Sequence, residues 1–238
     1  MISRAIILAG GNGTRLRPVT LEIPKPLVPV QGTPIATWLV EWFHRHGVVH
    51  VTVIYPPRWK NAFVDWARRT DVELFEEIEP MGTMGALVHH LELGDEPFFV
   101  TNGDELKEFN LAALEKFHQT ETNATANHAA TIALVSVPNP SEYGVAELDG
   151  NRIARFHEKP VNPPTNFISS GLYIVNPSVL CEVDHARRFL MFERDLFPRL
   201  AKEGRLAGCV LDGQWFDCGT MERWERAILG WKGKRNID

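Results

Sequence analysis

The feature that most limits how this chain can fold is the stretch from Leu8 to Val30, LAGGNGTRLRPVTLEIPKPLVPV. It follows Ile6 and Ile7, the end of a short apolar run that reads as a buried strand closed by glycine. Gly10, Gly11 and Gly13 let the backbone turn tightly and approach a ligand, and their N–H groups can converge on an anion. Arg15 and Arg17 follow at once, and Lys25 stands between two prolines. Glycine amides with these cations beside them suggest a polyphosphate site; a plain glycine turn with solvated cations is the alternative. The two common nucleotide loops do not fit. A dinucleotide loop needs G-x-G-x-x-G and an acid ~20 residues on. Leu16 takes the third glycine's place here, and Val30 and Gln31 stand where the acid is needed. A loop of the G-x-x-x-x-G-K-[ST] kind fails too, because no lysine follows the glycines in that register.

After this stretch the first half alternates helical and strand patterns. Thr33-Pro34 reads as an N-cap with proline in the first helical position, and Ile35, Leu39, Trp42 and Phe43 recur at helical spacing up to Gly47. Val48–Tyr55, Val72–Phe75 and Phe98–Thr101 read as strands. Trp59–Arg69, Thr83–Leu93 and Leu111–Thr120 read as helices. That alternation predicts a parallel sheet covered on both faces. The second half is richer in strands, at Thr131–Val137, Gly144–Leu148, Ile153–Glu158 and Phe167–Val175, with closing helices at Phe192–Glu203 and Met221–Trp231. It predicts an extension of the sheet with a small antiparallel lid over 138–175. His118–Ala130 reads as a helix end or a loop. Trp38, Trp42 and Trp66 lie on apolar helical faces and are expected in the core. The acids Glu193 and Asp195 are expected to cap a helix.

Net charge and cysteine usage remove several function classes. At −5 the chain has no global field to attract nucleic acid or an anionic membrane. Cys181, Cys209 and Cys218 form no C-x-x-C, so neither a disulfide framework nor a zinc cluster is suggested, and the histidines include no H-E-x-x-H. No apolar run approaches ~20 residues and no signal peptide is recognised, so a cytoplasmic location is expected.

Four later segments carry chemistry-bearing residues. Asn102-Gly103-Asp104 follows a buried strand, where open parallel sheets bind ligands, although all three residues also form turns. Glu79-Pro80-Met81-Gly82-Thr83 opens a predicted helix, with Glu77 two residues upstream and Thr83 able to cap it. Tyr143-Gly144-Val145 precedes Phe156-His157-Glu158-Lys159-Pro160, whose Glu-Lys pair alone would read as a solvated surface pair. Gly213-Gln214-Trp215-Phe216-Asp217-Cys218-Gly219-Thr220 leads into the last helix, where Asp217 alone would read as a cap and Cys218 as a small buried side chain.

Taken together, these segments resemble the sugar nucleotidylyltransferases, or NDP-sugar pyrophosphorylases. GGNGTRLRPVTLEIPKPLVPVQGTP is similar to their G-G-x-G-T-R-L-x-P-x-T, P-K-P and P-V-x-G-x-P signature without a gap, and the later segments are similar to N-G-D, E-x-P-L-G-T, Y-G-V, F-x-E-K-P and G-x-W-x-D-[IV]-G-T. The resemblance implies a Rossmann-like nucleotidyltransferase fold, α/β, with a mixed, mainly parallel sheet, helices on both faces and a sugar-binding lid. It spans nearly the whole chain and implies one nucleotidyltransferase domain over residues 1–238; the long further domain that some members carry is expected to be absent. It also implies transfer of NMP from an NTP to a sugar 1-phosphate, with Mg²⁺ as cofactor.

The resemblance assigns roles residue by residue. Leu8, Ala9, Gly10, Gly11, Gly13, Thr14, Arg15, Lys25, Glu77, Pro80, Gly82 and Thr83 are expected at the nucleotide, with Gly82 against the base. Asn102, Gly103, Gly144, Glu158, Lys159, Ser170 and Gly171 are expected at the sugar phosphate, and Asp104 and Asp217 at the metal. Arg15, Lys25 and Asp104 are the expected catalytic set. Two departures stand out: Glu108 and Asn110 occupy positions where aspartates are frequent, and Ser169-Ser170-Gly171 replaces N-A-G. Glu77 can accept from the N1–H and N2–H₂ groups of guanine, where pyrimidine-choosing members carry glutamine. The expectation leans to mannose- or heptose-1-phosphate guanylyl transfer. Glucose-1-phosphate thymidylyl or uridylyl transfer, another sugar-1-phosphate uridylyl transfer, and an inactive regulatory homologue that binds nucleotide or sugar are the alternatives. The expected partners are NTP and sugar 1-phosphate, not nucleic acid or membrane, and a homo-oligomer is left open.

Overall fold

A computed structural model describes residues 1–125 and 127–234 of the chain. Ala126, within the stretch expected as a helix end or loop, and the end of the expected domain at 235–238 lie outside the described residues. The elements run β1 (Arg4–Leu8), α1 (Val19–Glu22), β2 (Pro29–Val30), β3 (Thr33–Pro34), α2 (Ile35–Arg45), β4 (His50–Tyr55), α3 (Lys60–Ala67), β5 (Glu73–Glu76) and α4 (Gly85–His89). They continue with β6 (Phe98–Asn102), β7 (Glu105–Phe109), α5 (Leu111–Ala124), β8 (Ala130–Ser136), β9 (Gly144–Asp149), β10 (Arg152–Glu158) and β11 (Phe167–Val175). The chain closes with α6 (Phe197–Lys202), β12 (Leu206–Val210), β13 (Gly213–Asp217) and α7 (Met221–Gly230).

Nine strands form one sheet in the order β5-β4-β1-β6-β11-β8-β12-β10-β9. The β5-β4-β1-β6 block is parallel throughout. β11 then runs antiparallel to β6 and β8, and β12 lies parallel to β8. Of the antiparallel strands expected over 138–175, β11 lies mid-sheet between β6 and β8, and β9 and β10 form the far edge: β9 pairs β10 and touches β11, and β10 meets β12. The two-residue period of β1 divides its side chains between the faces. Ala5 and Ile7 enter one core with Trp42, Phe43 and Leu114; Ile6 enters the other with Leu87, Tyr173 and Phe197. Both faces are therefore dry, which is why β1, β4 and β6 read as near-continuous apolar runs.

Helix α2 follows its sequence pattern, burying Ile35, Leu39, Trp42 and Phe43 against the sheet. Each such side chain contributes about 1.5–3 kcal/mol relative to exposure. Its start differs from expectation. Thr33 belongs to the short β2–β3 hairpin and Pro34 is the residue before the first turn, without a side-chain cap. Helix α4 is shorter than the predicted Thr83–Leu93 and also begins uncapped. The Thr83 hydroxyl instead accepts from Phe192 N (3.0 Å) and donates to Glu193 Oε2 (2.7 Å). The closing helix expected from Phe192 opens with a π turn, Phe192–Leu196, before α6. Strands β7, β12 and β13 have no counterpart in the sequence reading.

The β7–β13 ladder bears directly on the site. It pairs Glu105 with Asp217 and is tied to α2, whose Trp42 indole N–H donates to Phe109 O at 3.0 Å. The other local device is in β11, where the register slips between Ser169 and Tyr173. Gly171 sits there at φ +63°, and a Cβ on it would meet Asn102 Nδ2 at 2.4 Å, so only glycine lets the strand pass this close.

Candidate active site

A cavity of about 470 Å³ opens at the carboxyl ends of β1, β4, β5 and β6, which contribute Leu8, Ile54, Glu77 just past β5, and Asn102 to its wall. The strand ends are stitched together there: Ala9 N donates to Ile54 O (2.8 Å), Glu77 N to Tyr55 O (2.8 Å) and Gly103 N to Leu8 O (2.9 Å). The parallel sheet thus delivers residues from distant sequence to one rim, as open α/β sheets do.

The glycine loop forms one side of this rim. Ala9, Gly10, Gly11, Arg15 and Lys25 line the cavity. Lys25 is buried and bonded to Asp104, and Arg15 is exposed with its guanidinium on Glu142 Oε2 (2.6 Å). Burial alone would lower the Lys25 pKa. The charge and hydrogen bond of Asp104, with Asp217 and Glu105 behind it, outweigh burial and hold the ammonium above its ordinary value. Asp104 is the mirror case. Burial would raise it, but Lys25 and then Lys107 hold it below the usual carboxylate range. Both groups are charged at neutral pH.

Asp217 reaches the same wall from the end of β13, and Cys218 N donates to Asp104 O at 3.2 Å, so Asp217 lies beside the β6–β7 turn that carries Asp104. Its carboxylate accepts from Tyr143 OH (3.0 Å), Arg223 Nη1 (2.6 Å) and Gly219 N (2.6 Å). Cys218 is buried, as its chemistry suggests. Glu105 adds a third acid, held by Asn102 Nδ2 (3.1 Å) and the Trp215 indole (2.9 Å) with the fully buried Lys107 ammonium 3.1 Å away. Burial outweighs Lys107 and raises the Glu105 carboxyl above its usual value.

The cavity is also lined by Tyr143, Gly144, Glu158, Lys159, Ser169, Tyr173 and Glu193. Lys159 lies at φ +49°, a strained value for a side-chain-bearing residue, with its N–H on Tyr143 O (3.0 Å) and its ammonium 3.2 Å from Glu158. Pro80, Gly82 and Thr83 close the remaining side, where Phe189 and Met191 from the segment before the π turn also reach the cavity.

Most of the residues singled out by sequence meet on this one wall. Among the described residues, Gly13, Thr14, Gly103, Ser170 and Gly171 stand outside its lining. Ser170 is turned away: its hydroxyl donates to Ala133 O at 2.8 Å, and the bulge at Gly171 brings Ser169 to the cavity instead. Gly82 owes its identity to the strap at 183–191. At φ +79° it passes under Leu190, whose carbonyl a Cβ would approach to 2.3 Å. Thr83 lines the cavity but does not cap α4. Glu193, expected as a cap, faces the cavity, whereas Asp195 does accept from Met191 N (2.7 Å). Glu105, Glu142, Tyr143 and Arg223 escaped the sequence assignment. Only the aromatic of Y-G-V offered a signal.

A family model, nucleotidyl transferase, matches residues 4–230. The chain belongs to that family. Within it, the chain is 38% identical over 228 residues to a protein of Danio rerio named mannose-1-phosphate guanylyltransferase catalytic subunit beta, covering 91% of this chain and 61% of the relative. A Xenopus laevis relative named mannose-1-phosphate guanyltransferase beta-B is 38% identical over 226 residues, with the same coverage. The chain thus spans about three fifths of these curated relatives. The crystal structure of HddC from Yersinia pseudotuberculosis complexed with GMP-PN superposes with a TM-score of 0.78 at 26% identity, covering 97% of this chain and 100% of that one. The nucleotidyl transferase fold accounts for the parallel block, the glycine loop at its rim and the cavity. No helix among the described residues is long and apolar enough to cross a membrane.

Proposed function

We propose that the protein transfers a nucleoside monophosphate from an NTP to a sugar 1-phosphate, releasing pyrophosphate, with GTP and mannose- or heptose-1-phosphate as the leading pair. One observation carries the reading. A single cavity is lined together by Arg15, Lys25 and the glycine loop, by Glu158 and Lys159, and by two aspartates. Family membership and the names of the relatives support the reaction class.

In this reading an oxygen of the sugar phosphate attacks the α-phosphorus of the NTP, and the bond to the pyrophosphate oxygen breaks. No protein nucleophile is needed, so the protein supplies position and charge. Lys159 orients the attacking phosphate, Lys25 contacts the α-phosphate, and Arg15 receives the charge that grows on the leaving pyrophosphate. For that, Arg15 leaves Glu142, an exposed ion pair of the sort worth little in water. Asp104, in the β6–β7 turn, and Asp217, at the end of β13, are hard oxygen donors brought side by side by the Cys218 N to Asp104 O bond, and the residues fit a magnesium ion that takes one or two carboxylates and completes its shell from phosphates and water. Among the described residues no group of three or more metal-ligating side chains competes for that role. Bound magnesium would neutralise the phosphates and help the charge leave.

Glu77 supports the choice of guanine. Oε1 accepts from Met81 N at 3.3 Å, while Oε2 lies by the glycine loop, 3.2 Å from where a Gly10 Cβ would sit. Burial raises this carboxyl above its usual range, so a partner with two donors, as guanine has, relieves the cost of its charge. The test is pyrophosphate release for each NTP against a set of sugar 1-phosphates. GTP with mannose- or heptose-1-phosphate should lead, and Glu77→Gln should lower kcat/KM for GTP about tenfold or more relative to UTP and dTTP. A wild-type preference for a pyrimidine NTP would overturn the base, and no turnover with any pair would overturn the reaction.

A further inference from the structure

Glu193 is a carboxylate on the cavity wall that the proposed chemistry does not use. It stands on the π turn before α6, and such turns recur at functional positions. Two hydroxyls fix it. Thr83 Oγ1 accepts from Phe192 N, so its own proton is committed to Glu193 Oε2 (2.7 Å); Tyr173 OH donates to Oε1 at 3.3 Å. Among the ion pairs of the described residues none involves Glu193, whereas neighbouring Glu158 already has the Lys159 ammonium at 3.2 Å.

A carboxylate out of bulk water, with neutral partners only and lone pairs left over, calls for further hydrogen-bond donors. Phosphate cannot provide them, and its like charge is repelled by the Glu193 carboxylate. A nucleobase is better served by Glu77, beside the glycine loop. Around Glu193 stand Glu158, Ser169 and Tyr173, a set that exchanges hydrogen bonds with hydroxyls.

We propose that Glu193 is a specificity-determining residue of the sugar end of the cavity, its carboxylate accepting a hydrogen bond from one hydroxyl of the sugar 1-phosphate beside Glu158. The inference rests on the reading that this cavity takes a sugar 1-phosphate. A charge-assisted bond of this kind should separate the parent sugar from the analogue lacking that hydroxyl by about ten- to hundredfold in kcat/KM.

The experiment compares wild type, Glu193→Ala and the isosteric Glu193→Gln with the best accepted sugar 1-phosphate and its monodeoxy analogues, at saturating NTP, with thermal unfolding as the check on folding. Wild type should discriminate strongly against one analogue. In Glu193→Ala that analogue and the parent should converge, the KM for the parent should rise, and the KM for NTP should move less than about twofold. If alanine unfolds the protein, the same convergence in part is expected of Glu193→Gln, which keeps the shape and removes the charge. The idea is overturned if either folded variant discriminates among the analogues as wild type does, or if the KM for NTP rises as much as that for the sugar phosphate. Wild type that turns over no sugar 1-phosphate sinks the function proposed for the cavity, a result distinct from both.

Discussion

Arg15 carries the clearest expectation at the scale of single residues. Its guanidinium fork can grip two phosphate oxygens, whereas lysine offers a point charge. In the proposed reaction the charge it meets grows as pyrophosphate leaves, so Arg15→Lys should cost about 30- to 1,000-fold in kcat, by analogy with loss of an oxyanion donor, with a smaller change in the KM for NTP. Steady-state kinetics decide; an intact kcat with only KM altered would make Arg15 a uniform binding residue. Lys159→Ala should act on the other substrate, raising the KM for sugar 1-phosphate several-fold more than that for NTP, and equal effects would move Lys159 to the nucleotide side. The place of both residues on the cavity wall was legible in the sequence because each lies in a compact motif. Glu193, Glu105 and Glu142 were not: each gains its meaning from partners far along the chain, Thr83, Trp215 and Arg15. A cap and a pocket acid look alike until those partners are known.

At the scale of elements, the long apolar segments were readable and the short polar ones were not. Strand β7, ELKEF, shows only Leu106 and Phe109 as apolar positions, and its strand character comes from pairing with β13 more than a hundred residues later. The same non-local cause explains Ser170. A register slip in β11 exchanges which serine faces the cavity, and it falls where Gly171 packs against Asn102. The strap at 183–191 is a further example, fixed to the start of α4 by Leu190 N to Met81 O (3.0 Å) and Met84 N to Leu190 O (2.9 Å). Gly82→Ala should therefore disturb the strap as well as the cavity. A Cβ 2.3 Å from Leu190 O, on a backbone at φ +79°, should cost roughly 1–3 kcal/mol in thermal unfolding, with Phe189 and Met191 displaced and substrate KM values raised. Unchanged stability would show that the strap is loosely held.

For the molecule as a whole, the sheet's two dry faces hold few buried polar groups, and the paired histidines His118 and His128 are one buried set among the described residues with a consequence for pH. They lie 5.0 Å apart where α5, β8 and the end of β11 meet, both bonded to Thr131 Oγ1 at 2.9 and 3.0 Å. Burial pushes His128 from 6.5 down to about 4, with His118 adding repulsion, and burial also lowers His118. A folded pKa below the unfolded one means that the unfolded chain takes up the proton first. Stability supplied by the neutral pair is thus complete above pH 6.5 and falls away as pH drops from about 6.5 towards 4, by about 3 kcal/mol for His128 alone. Glu77 and Glu193, whose carboxyls burial raises, act in the opposite sense, because protonation relieves their burial as pH falls through their raised values. The histidine contribution is therefore best read as a difference. Tm measured from pH 7.5 to 4.5 should fall less steeply for His128→Gln than for wild type, even though the variant starts lower for want of its bond to Thr131. Parallel curves would mean that His128 takes up its proton in the folded protein without cost, and the acid sensitivity of this fold would have to be sought in the carboxylates that cations hold ionised, Asp104 and Glu182.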